Sequence, residues 1–481
     1  MASHASHCIA GRWLPGAGDR TRLVLDPATG EPVAGLTEAT DEEVDAAVRA
    51  ASEAGAAWAS TDPAERGAMV AAAARRVHEI SEELTTLTTR EMGRPAALSA
   101  AGVEAAASTM LQYAQLGPLH RGRSLQGGWD AVDLMVHQPR GVVAVITPWN
   151  DPVAVPAGLL AAALVTGNTV VFKPSERTPG TGEQLARALI EQLPAGVLNL
   201  VHGAAETGAA LAGHEVVDVV AHVGSTAAGR TIAAAAARTG AKVVLENGGN
   251  DPLLVDADVD PEWAAAQTAL GGFINSGQLC TSVERVYVHH LVAQEFLAAL
   301  VKEAESLVLG PGSDPATTLG PLVDGRARDG VHGQVQDALR GGATARSGGV
   351  LPEGAGTFYP ATVLTDVTED MTVMTEETFG PVLPVRVVPT FEEGLAAAAA
   401  STYGLAATVL TASMAHAQQA WRRLPVGTVK VNAVFGGAPG GAAQPRRASG
   451  DGFGYGPELL DELTVAKVVH LGCGPTQTVL R

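Results

Sequence analysis

VVAVIT (142–147) is the first of five short apolar runs, rich in β-branched residues, that recur between residues 142 and 246. The other four are TVVFK (169–173), VLNLV (197–201), VVAHV (219–223) and KVVLE (242–246). Segments of about helix length separate the runs, and this alternation predicts a parallel sheet with helices on both faces. Ligands of such sheets bind where strands end and turn into helices, so the residues after each run are the first candidates for a site.

A second alternating region begins near residue 247 and predicts a second α/β domain. It contains two strand-like runs, PLLV (252–255) and VERVYVHH (283–290). Segments of helical composition follow these runs over about 261–276 and 292–308. The predicted fold class is therefore α/β, with a domain break near residue 247.

Two further segments have the pattern of β structure. Residues 121–139 place an alternating stretch between glycine and proline residues, which predicts a hairpin that leaves the first domain. LTVAKVVHL (463–471) is an apolar strand without an evident local partner. Because an unpaired apolar edge promotes aggregation, we expect another subunit to cover it.

Length and charge exclude several classes of protein. The 481 residues exceed the roughly 250–300 residues at which one hydrophobic core stops growing, so two or three domains are expected. The 51 acidic residues outnumber the 32 basic ones, and a net charge of −19 would repel nucleic acid and anionic lipid. No apolar run approaches the roughly 20 residues of a membrane span, and the N-terminus lacks the pattern of a leader, so we expect a cytoplasmic protein.

Each of the three cysteines has to be judged as a single thiol. Positions 8, 280 and 473 fit neither a disulfide framework nor a zinc site, and His4, His7 and Cys8 lie at an end that is expected to fray. We therefore expect no metal. Cys280 stands in INSGQLCT (274–281), a glycine-containing turn where nearby backbone amides would lower the pKa of a thiol. The alternative for a lone cysteine is a small buried hydrophobe.

Six short motifs follow one another in an order that identifies a family. They are TPWNDP (147–152), KPSE (173–176), GST (224–226), ENGG (246–249), GQLC (277–280) and EETFGPV (376–382). In these motifs the chain resembles the aldehyde dehydrogenase superfamily. The resemblance extends from AGRW (10–13) through GTVKVN (427–432) to the terminal strand, and so covers nearly the whole sequence.

The resemblance implies an aldehyde dehydrogenase-like α/β fold with three parts. Residues 1–120 and 140–246 would form a Rossmann-like, NAD-binding domain, and residues 247–435 an α/β catalytic domain. Residues 121–139 and 436–481 would form a small β oligomerisation element that also carries a C-terminal substrate loop. Since the terminal strand of family members joins the sheet of a neighbouring subunit, the resemblance implies a homodimer or homotetramer.

The implied reaction is the oxidation of an aldehyde to a carboxylic acid by NAD(P)+. A bare aldehyde carbon does not readily release hydride, so a thiolate must first form a thiohemiacetal. By resemblance this thiolate is Cys280, the Asn150 side-chain amide and the Cys280 backbone N–H form the oxyanion hole, and Glu246 activates the water that hydrolyses the thioester. Two alternatives stay open: a noncatalytic NAD-binding scaffold of the same fold, and an acylating enzyme that transfers the acyl group to coenzyme A and typically lacks this Glu.

The G-x-G-x-x-G fingerprint of an ordinary Rossmann domain is missing from the sequence. The residues expected for the adenosine half of the cofactor are therefore those that the resemblance implies. Gly224 and Ser225 would open a helix towards the pyrophosphate. Lys173 and Glu176 would hold the adenosine ribose, and a carboxylate there favours NAD over NADP because it repels a 2′-phosphate. Lys173 leaves NADP open as the cofactor.

For the nicotinamide half, the resemblance points to three more residues. Glu377 matches the residue that holds the ribose, and Phe379 matches the residue beside the ring. Trp149 would flank the cofactor, although a core aromatic is an equally good interpretation of this residue.

Two departures from the family pattern concern the aldehyde. Leu279 precedes the predicted nucleophile, where relatives that act on anionic aldehydes often have Arg. Asp151 follows Asn150, where an aromatic residue is common. We expect a substrate without an anionic group at this place, with hydroxyl or amino groups from which Asp151 accepts hydrogen bonds.

Other departures concern turnover. Leu159 occupies the place of a Lys that is suspected of relaying protons, so hydrolysis would depend on Glu246 and water alone. Asn247 replaces the usual Leu after the base. The loop over 444–458 keeps its glycines but lacks the usual aromatic, Lys and Arg residues. Its Arg446 and Arg447 would be solvated or would contact another subunit, and the alternative is that they face a substrate acid.

Overall fold

In the computed structural model, which describes residues 3–436 and 441–474, four helices fill most of the first 120 residues. They are α1 Asp41–Ser60, α2 Pro63–Glu79, α3 Ser81–Met92 and α4 Ala96–Leu116. Short strands precede them: β1 Ser3–Ala5, β2 His7–Ile9, β3 Arg12–Leu14, β4 Thr21–Leu25 and β5 Pro32–Thr37. A capping box between Thr40 and Glu43 begins α1, and Asp62 caps α2 directly before Pro63.

The five predicted runs all form strands of one sheet. The strands of this part of the chain are β6 Arg123–Leu125, β7 Ala131–Pro139, β8 Val142–Ile146, β9 Thr169–Lys173, β10 Leu198–Leu200, β11 Val219–Val223 and β12 Lys242–Glu246. The helices are α5 Ala154–Val165, α6 Pro179–Ile190, α7 Ala205–Ala212 and α8 Thr226–Thr239. Strands β12, β11, β8, β9 and β10 lie parallel in that order, so the strand order reverses at β8. The carboxyl end of β8 is therefore the place where this topology favours a ligand.

A second sheet follows in the order β15-β16-β17-β14-β13-β18-β19. Its strands are β13 Asp251–Val255, β14 Val283–His289, β15 Thr344–Ser347, β16 Thr362–Thr365, β17 Val382–Val388, β18 Ala406–Leu410 and β19 Thr428–Val431. The helices of this part are α9 Pro261–Phe273, α10 Ala293–Ser306, α11 Gly325–Arg340, α12 Thr372–Thr375, α13 Phe391–Ala399 and α14 Met414–Arg423. The helix predicted to reach residue 276 ends at Phe273, and a 3-10 turn over Ile274–Gly277 continues from it.

The last described elements are β20 Gly450–Asp451, α15 Glu458–Glu462 and β21 Thr464–Gly472. The terminal strand, for which the sequence showed no local partner, has a distant partner within the chain. Strand β21 pairs antiparallel with the whole of β7, from Thr464 opposite Pro139 to Gly472 opposite Ala131. The predicted hairpin, β6 and β7, completes this sheet in the order β21-β7-β6. The partner was missed because it lies more than 300 residues earlier in the sequence.

The late part of the chain also returns to the first sheet. Strand β20 pairs antiparallel with the end of β12, with Gly450 opposite Glu246. Asn247 extends this contact, because its backbone N–H donates to the Ser449 carbonyl and its side-chain amide to the Ala448 carbonyl. The polar residue after Glu246 therefore holds the late loop in place, which the sequence did not indicate. No helix in the described part of the chain has the length and apolar character needed to cross a bilayer.

Candidate active site

Cys280 and Glu246 lie side by side where the two large sheets approach each other. Glu246 is the last residue of β12, and Cys280 stands in the turn between the 3-10 segment Ile274–Gly277 and β14. The Cys280 thiol donates a hydrogen bond to Glu246 Oε1, with Sγ and Oε1 3.3 Å apart. Both side chains are partly exposed. The structure thus brings together a thiol and a carboxylate that sequence analysis predicted to act in succession.

Burial sets the proton affinities of this pair. Burial raises the pKa of the Glu246 carboxyl, and the hydrogen bond from Cys280 offsets part of this rise. The pKa of the Cys280 thiol is also well above its ordinary value, first because of burial and then because of the negative charge on Glu246. The expectation of a lowered thiol pKa is therefore wrong, since these two causes outweigh any favourable backbone dipole. A carboxyl with a raised pKa beside a thiol is well suited to accept the thiol proton.

The turn before Cys280 has a backbone that only certain residues tolerate. Asn275, Ser276 and Gly277 have successive φ values of 50°, 57° and 71°, in the left-handed region. A Cβ on Gly277 would lie 2.1 Å from the carbonyl oxygen of Gly380. The GQLC and EETFGPV motifs thus pack directly against each other at this point, and the close approach requires a glycine.

Asn150 reaches this turn from the carboxyl end of β8. Its side-chain Nδ2 donates to the carbonyl oxygen of Gln278 at 3.0 Å, and the Asn275 amide donates to the same oxygen at 3.2 Å. The Asn150 side chain is buried. An amide has two N–H donors, so one donor of Asn150 remains available in addition to the bond to the turn that carries Cys280.

The residues predicted for the adenosine ribose lie at the end of β9. Lys173 is buried, and its Nζ donates to the carbonyl oxygens of Pro174 at 2.9 Å and Gly203 at 2.8 Å. One of its three donors is left for another acceptor. Burial lowers the Lys173 pKa, and the charge of Glu176 acts against this effect. Glu176 lines a cavity of about 620 Å³, together with Arg22 and Arg177.

Gly224 and Ser225 form the turn between β11 and α8. The Gly224 backbone N–H donates to the Glu246 carbonyl oxygen at 3.0 Å, which ties this turn to the end of β12. A Cβ on Gly224 would lie 2.7 Å from the imidazole of His222, so a side chain there would force that ring to move. Ser225 caps α8 by accepting from the Ala228 N–H at 3.3 Å. The start of this 14-residue helix is partly exposed, and the free backbone N–H groups of a helix N-terminus suit an anionic pyrophosphate.

Trp149, Phe379 and Glu377 lie on the nicotinamide side. The Trp149 and Phe379 rings pack edge to face with centroids 5.5 Å apart, and the Arg177 guanidinium lies 5.2 Å from the Trp149 ring centroid. Trp149 is partly exposed, which favours a cofactor contact over a core position. Glu377 accepts a hydrogen bond from the Gly249 N–H at 3.1 Å. Burial and the nearby charge of Glu284 raise the Glu377 pKa to about 8.

Comparison with known proteins identifies the family. The model of the aldehyde dehydrogenase family matches residues 13–469. The betaine aldehyde dehydrogenase of Cereibacter sphaeroides is 36% identical over 481 residues, and 98% of each chain is covered. The chain belongs to the aldehyde dehydrogenase family. Its reaction class is therefore the NAD(P)-dependent oxidation of an aldehyde.

Further relatives agree on the family and differ in the aldehyde that they are named for. The α-ketoglutarate semialdehyde dehydrogenase of Haloferax volcanii is 37% identical over 491 residues, which cover 98% of this chain and 99% of that protein. A solved aldehyde dehydrogenase from Bacillus cereus, in complex with NAD+, has a TM-score of 0.95 at 34% identity, with 98% of this chain and 97% of that one covered. The fold is thus that of the family, and the cofactor is NAD(P).

The two residues predicted to face the aldehyde lie beside the site, but the charge of Asp151 is not isolated. Its Oδ1 lies 3.3 Å from Nη1 of Arg94, and the side chains of Arg94 and Asp151 are only 10% and 23% exposed. The same Nη1 donates to the Asn150 carbonyl oxygen at 3.4 Å. Leu279 is partly exposed directly before Cys280. Asp151 therefore does not present an uncompensated negative charge to the aldehyde, and its partner Arg94, more than 50 residues earlier in the chain, was not predicted from the sequence.

Two ionisable side chains near Cys280 were not predicted from the sequence, the half-buried Lys430 and the buried Asp251. Lys430, inside the GTVKVN motif, donates from Nζ to the Val434 carbonyl oxygen at 2.7 Å. Burial lowers the Lys430 pKa, and the charges of Asp251 and Cys280 act against this effect. Asp251 is buried, and its Oδ2 has no hydrogen-bond partner among the described residues. The motif itself was quoted in the sequence, but nothing local indicated that its Lys approaches the thiol.

The late loop does not bring arginines to the site. The Arg447 guanidinium donates to the backbone carbonyls of Ala399, at 3.2 Å, and Ser401 in the same chain, and Arg446 is exposed. The interpretation that these arginines face a substrate acid is therefore not supported. The loop contributes Gly454 instead, at which a Cβ would lie 3.1 Å from Glu246 Oε2.

Proposed function

We propose that this protein is a hydrolytic aldehyde dehydrogenase, in which Cys280 is the nucleophile, Asn150 an oxyanion donor and Glu246 the base. The observation that carries the proposal is the 3.3 Å contact between Cys280 Sγ and Glu246 Oε1. A thiol held on a carboxylate matches a reaction that needs a sulfur nucleophile first and a deprotonated water afterwards.

In the first step Glu246 accepts the thiol proton, and Sγ forms a bond to the aldehyde carbon. The carbonyl electron pair moves to oxygen, which becomes an oxyanion. The Asn150 amide donor that is not bound to Gln278, together with the Cys280 backbone N–H, would stabilise this charge. Such a donor contributes roughly 10²–10³ in rate.

The residues of the cofactor site fit a dinucleotide. The open N-terminus of α8 suits a pyrophosphate, Lys173 and Glu176 suit the adenosine ribose, and Glu377 suits the second ribose. Trp149 and Phe379 would confine the nicotinamide ring. When bound, NAD(P)+ accepts the hydride that converts the thiohemiacetal into a thioester. The carboxylate of Glu176 favours NAD, because it would repel a 2′-phosphate.

Glu246 first releases the thiol proton to solvent. In the last step its carboxylate would deprotonate a water molecule that attacks the thioester, and the C–S bond breaks to give the acid and the Cys280 thiolate. The raised pKa of the Glu246 carboxyl makes it a stronger base for this task. Gly454, at which a Cβ would lie 3.1 Å from Glu246 Oε2, offers no ionisable side chain, and Leu159 stands in the place of the relaying Lys of the family. We therefore propose that Glu246 returns its proton directly to solvent water.

For the aldehyde we propose a neutral molecule that carries hydroxyl groups. The Arg94–Asp151 pair has no net charge but offers both donors and acceptors beside Asn150. Leu279 adds an apolar contact next to the nucleophile. The names of the relatives do not decide the substrate, since betaine aldehyde is a cation and α-ketoglutarate semialdehyde is an anion.

The domain division stays a proposal. Membership of the two large sheets supports a cofactor domain over 1–120 and 140–246 and a catalytic domain over 247–435, and the β21-β7-β6 sheet supports an oligomerisation element over 121–139 and 436–481. Residues 437–440 and 475–481 of that element lie outside the described residues. We propose a homodimer or homotetramer, and the cytoplasmic location remains a prediction.

The proposed reaction is tested with purified protein, NAD+ and a panel of aldehydes, by following NADH absorbance and identifying the acid product. We expect NADH formation without coenzyme A, and its loss in Cys280→Ala with NAD+ affinity nearly unchanged. Formation of acyl-coenzyme A in place of acid would identify an acylating enzyme instead. Binding of NAD+ without NADH formation from any aldehyde would identify a noncatalytic scaffold.

A further inference from the structure

Three side chains with metal-binding atoms meet where the β21-β7-β6 sheet adjoins α4 and α15. His120 follows α4, His137 lies in β7 and Asp461 lies in α15. One ligand atom from each lies within 4.8 Å of the other two. His120 Nε2 is 2.8 Å from Asp461 Oδ1, and the two imidazole rings have centroids 4.4 Å apart. None of the three takes part in the proposed aldehyde chemistry.

The orientation of His137 is fixed by a neighbouring hydroxyl. Thr464 Oγ1 is 2.8 Å from the Leu460 carbonyl oxygen, which can only accept, so the hydroxyl proton is used there. Thr464 Oγ1 is also 3.3 Å from His137 Nδ1, and at this contact it must accept from the Nδ1–H. Neutral His137 therefore carries its proton on Nδ1 and keeps the Nε2 lone pair free. Metal-binding histidines are typically held in this way, through a hydrogen bond from the other ring nitrogen.

We propose that His120, His137 and Asp461 form a binding site for a divalent transition metal ion, with Zn²⁺ as the ion of best fit. Two imidazoles and one carboxylate are a donor set that suits Zn²⁺ better than Mg²⁺ or Ca²⁺, which prefer oxygen donors. Water would supply the fourth ligand of a tetrahedral site. In the bound state His120 holds its proton on Nδ1 and lends Nε2 to the metal.

The three ligand atoms must move closer together to bind one ion. Ligand bonds of roughly 2.0–2.2 Å in a tetrahedron place ligand atoms about 3.4 Å apart. The three ligand atoms lie within 4.8 Å of one another, so they must approach by at most about 1.4 Å. Asp461 is the most movable of the three, since its side chain is 64% exposed whereas that of His120 is 14% exposed. The metal would join three elements that are distant in sequence, and we infer that its role is to fasten the terminal sheet to the cofactor domain.

The site is tested on the full-length chain after treatment with a chelator. Zn²⁺ is titrated calorimetrically, and Co²⁺ by its visible absorption, which is intense only for tetrahedral sites. All measurements use a Cys280→Ala background, so that the catalytic thiol does not bind the probe. We expect one high-affinity equivalent per chain, its loss in His137→Ala, and weakening by roughly 10–100-fold in Thr464→Val, which removes the acceptor for His137 Nδ1 and leaves all three ligands in place.

His470→Ala is the matched control. His470 Nδ1 is 2.7 Å from Asp133 Oδ1 on the same sheet, so it is an imidazole–carboxylate pair without a role in the proposed site. We expect this variant to bind Zn²⁺ like its parent and to show the same rise in Tm on Zn²⁺ addition. The proposal is overturned if the parent binds no equivalent, or if His137→Ala and Thr464→Val, both folded by circular dichroism, bind as tightly as the parent.

Discussion

Cys280 Sγ donates to Glu246 Oε1 across 3.3 Å, although the two residues are 34 positions apart in the chain. This distance leaves no room for a water molecule between the two atoms. The observed geometry therefore suits transfer of the thiol proton, whereas hydrolysis of a thioester requires the carboxylate to turn from sulfur and admit water. The two tasks that we propose for Glu246 thus need two positions of the same side chain.

The first prediction concerns the reactivity of the Cys280 thiol. Burial and the Glu246 charge raise its pKa, so alkylation by iodoacetamide should be slow at neutral pH and should accelerate as the pH rises through that pKa. Glu246→Gln removes one of the raising causes, so its rate profile should shift to lower pH. The rate of alkylation between neutral and alkaline pH measures this directly. A profile that stays in place, or moves to higher pH, would show that the Glu246 charge does not control the thiol.

The second prediction concerns Lys430, whose substitution should shift the alkylation profile in the opposite direction, to higher pH. The Cys280 charge acts to raise the Lys430 pKa, and because such an interaction is reciprocal the ammonium group should favour the Cys280 thiolate. Lys430→Met should shift the alkylation profile to higher pH and should slow aldehyde oxidation at neutral pH. Lys467→Met is the control, because Lys467 is exposed on β21 and should leave the profile unchanged. Equal profiles for both variants would remove Lys430 from the site.

The pattern of the sequence was sufficient for the strands of the first sheet, because each is a local apolar run. Pairings between distant segments were not visible in it. Strand β21 lacked a local partner in the sequence, and its contact with β7 depends on where the hairpin leaves the first domain. The same holds for Asn247, whose function in holding the late loop becomes evident only from its contact with Ala448.

For the candidate site, too, the local motifs were predictable and the contacts between distant segments were not. Cys280, Glu246 and Asn150 were located through their motifs, and the structure brings all three to one turn. The charge environment was not predictable, since it depends on burial and on groups from elsewhere in the chain. Arg94 changes the charge expected at Asp151, and burial reverses the expected shift of the thiol pKa.

The third prediction concerns selectivity by charge. The charge of Arg94 compensates that of Asp151. The charge of the aldehyde should therefore have little effect on the kcat/KM of the unsubstituted protein when succinic semialdehyde, butanal and 4-aminobutanal are compared. Arg94→Met leaves Asp151 unpaired, and two like charges about 6 Å apart cost about 2–3 kcal/mol at an effective dielectric constant near 20. The variant should lose roughly 30–100-fold in kcat/KM for succinic semialdehyde relative to butanal.

Asp151→Asn provides the counterpart to that substitution. It leaves the Arg94 charge uncompensated, so kcat/KM should shift towards succinic semialdehyde and away from 4-aminobutanal. If both variants change all three substrates by the same factor, the pair acts only on the fold and does not sense the charge of the aldehyde.

The fourth prediction concerns assembly. Val465, Val468 and Leu471 of β21 are 46%, 67% and 57% exposed, and no strand in the described part of the chain pairs with the outer edge of β21. Deleting residues 463–481 should produce aggregates or unstable monomers, because it also uncovers β7. Val468→Lys should yield a smaller assembly with a folded chain, as measured by light scattering after gel filtration. An active, stable monomer from the deletion would refute this role of the strand.

The central claim is that Cys280 carries the acyl group and that Glu246 is needed to release it. The most direct measurement is the pre-steady-state NADH formation of Glu246→Gln, combined with the intact mass of the protein after mixing with aldehyde and NAD+. Because Gln cannot accept the thiol proton, which must then go to solvent, we predict slower formation of about one NADH per active site, a mass increase that Cys280→Ala abolishes, and little further turnover. Steady turnover near that of the unsubstituted protein, without an acyl adduct on Cys280, would contradict the account.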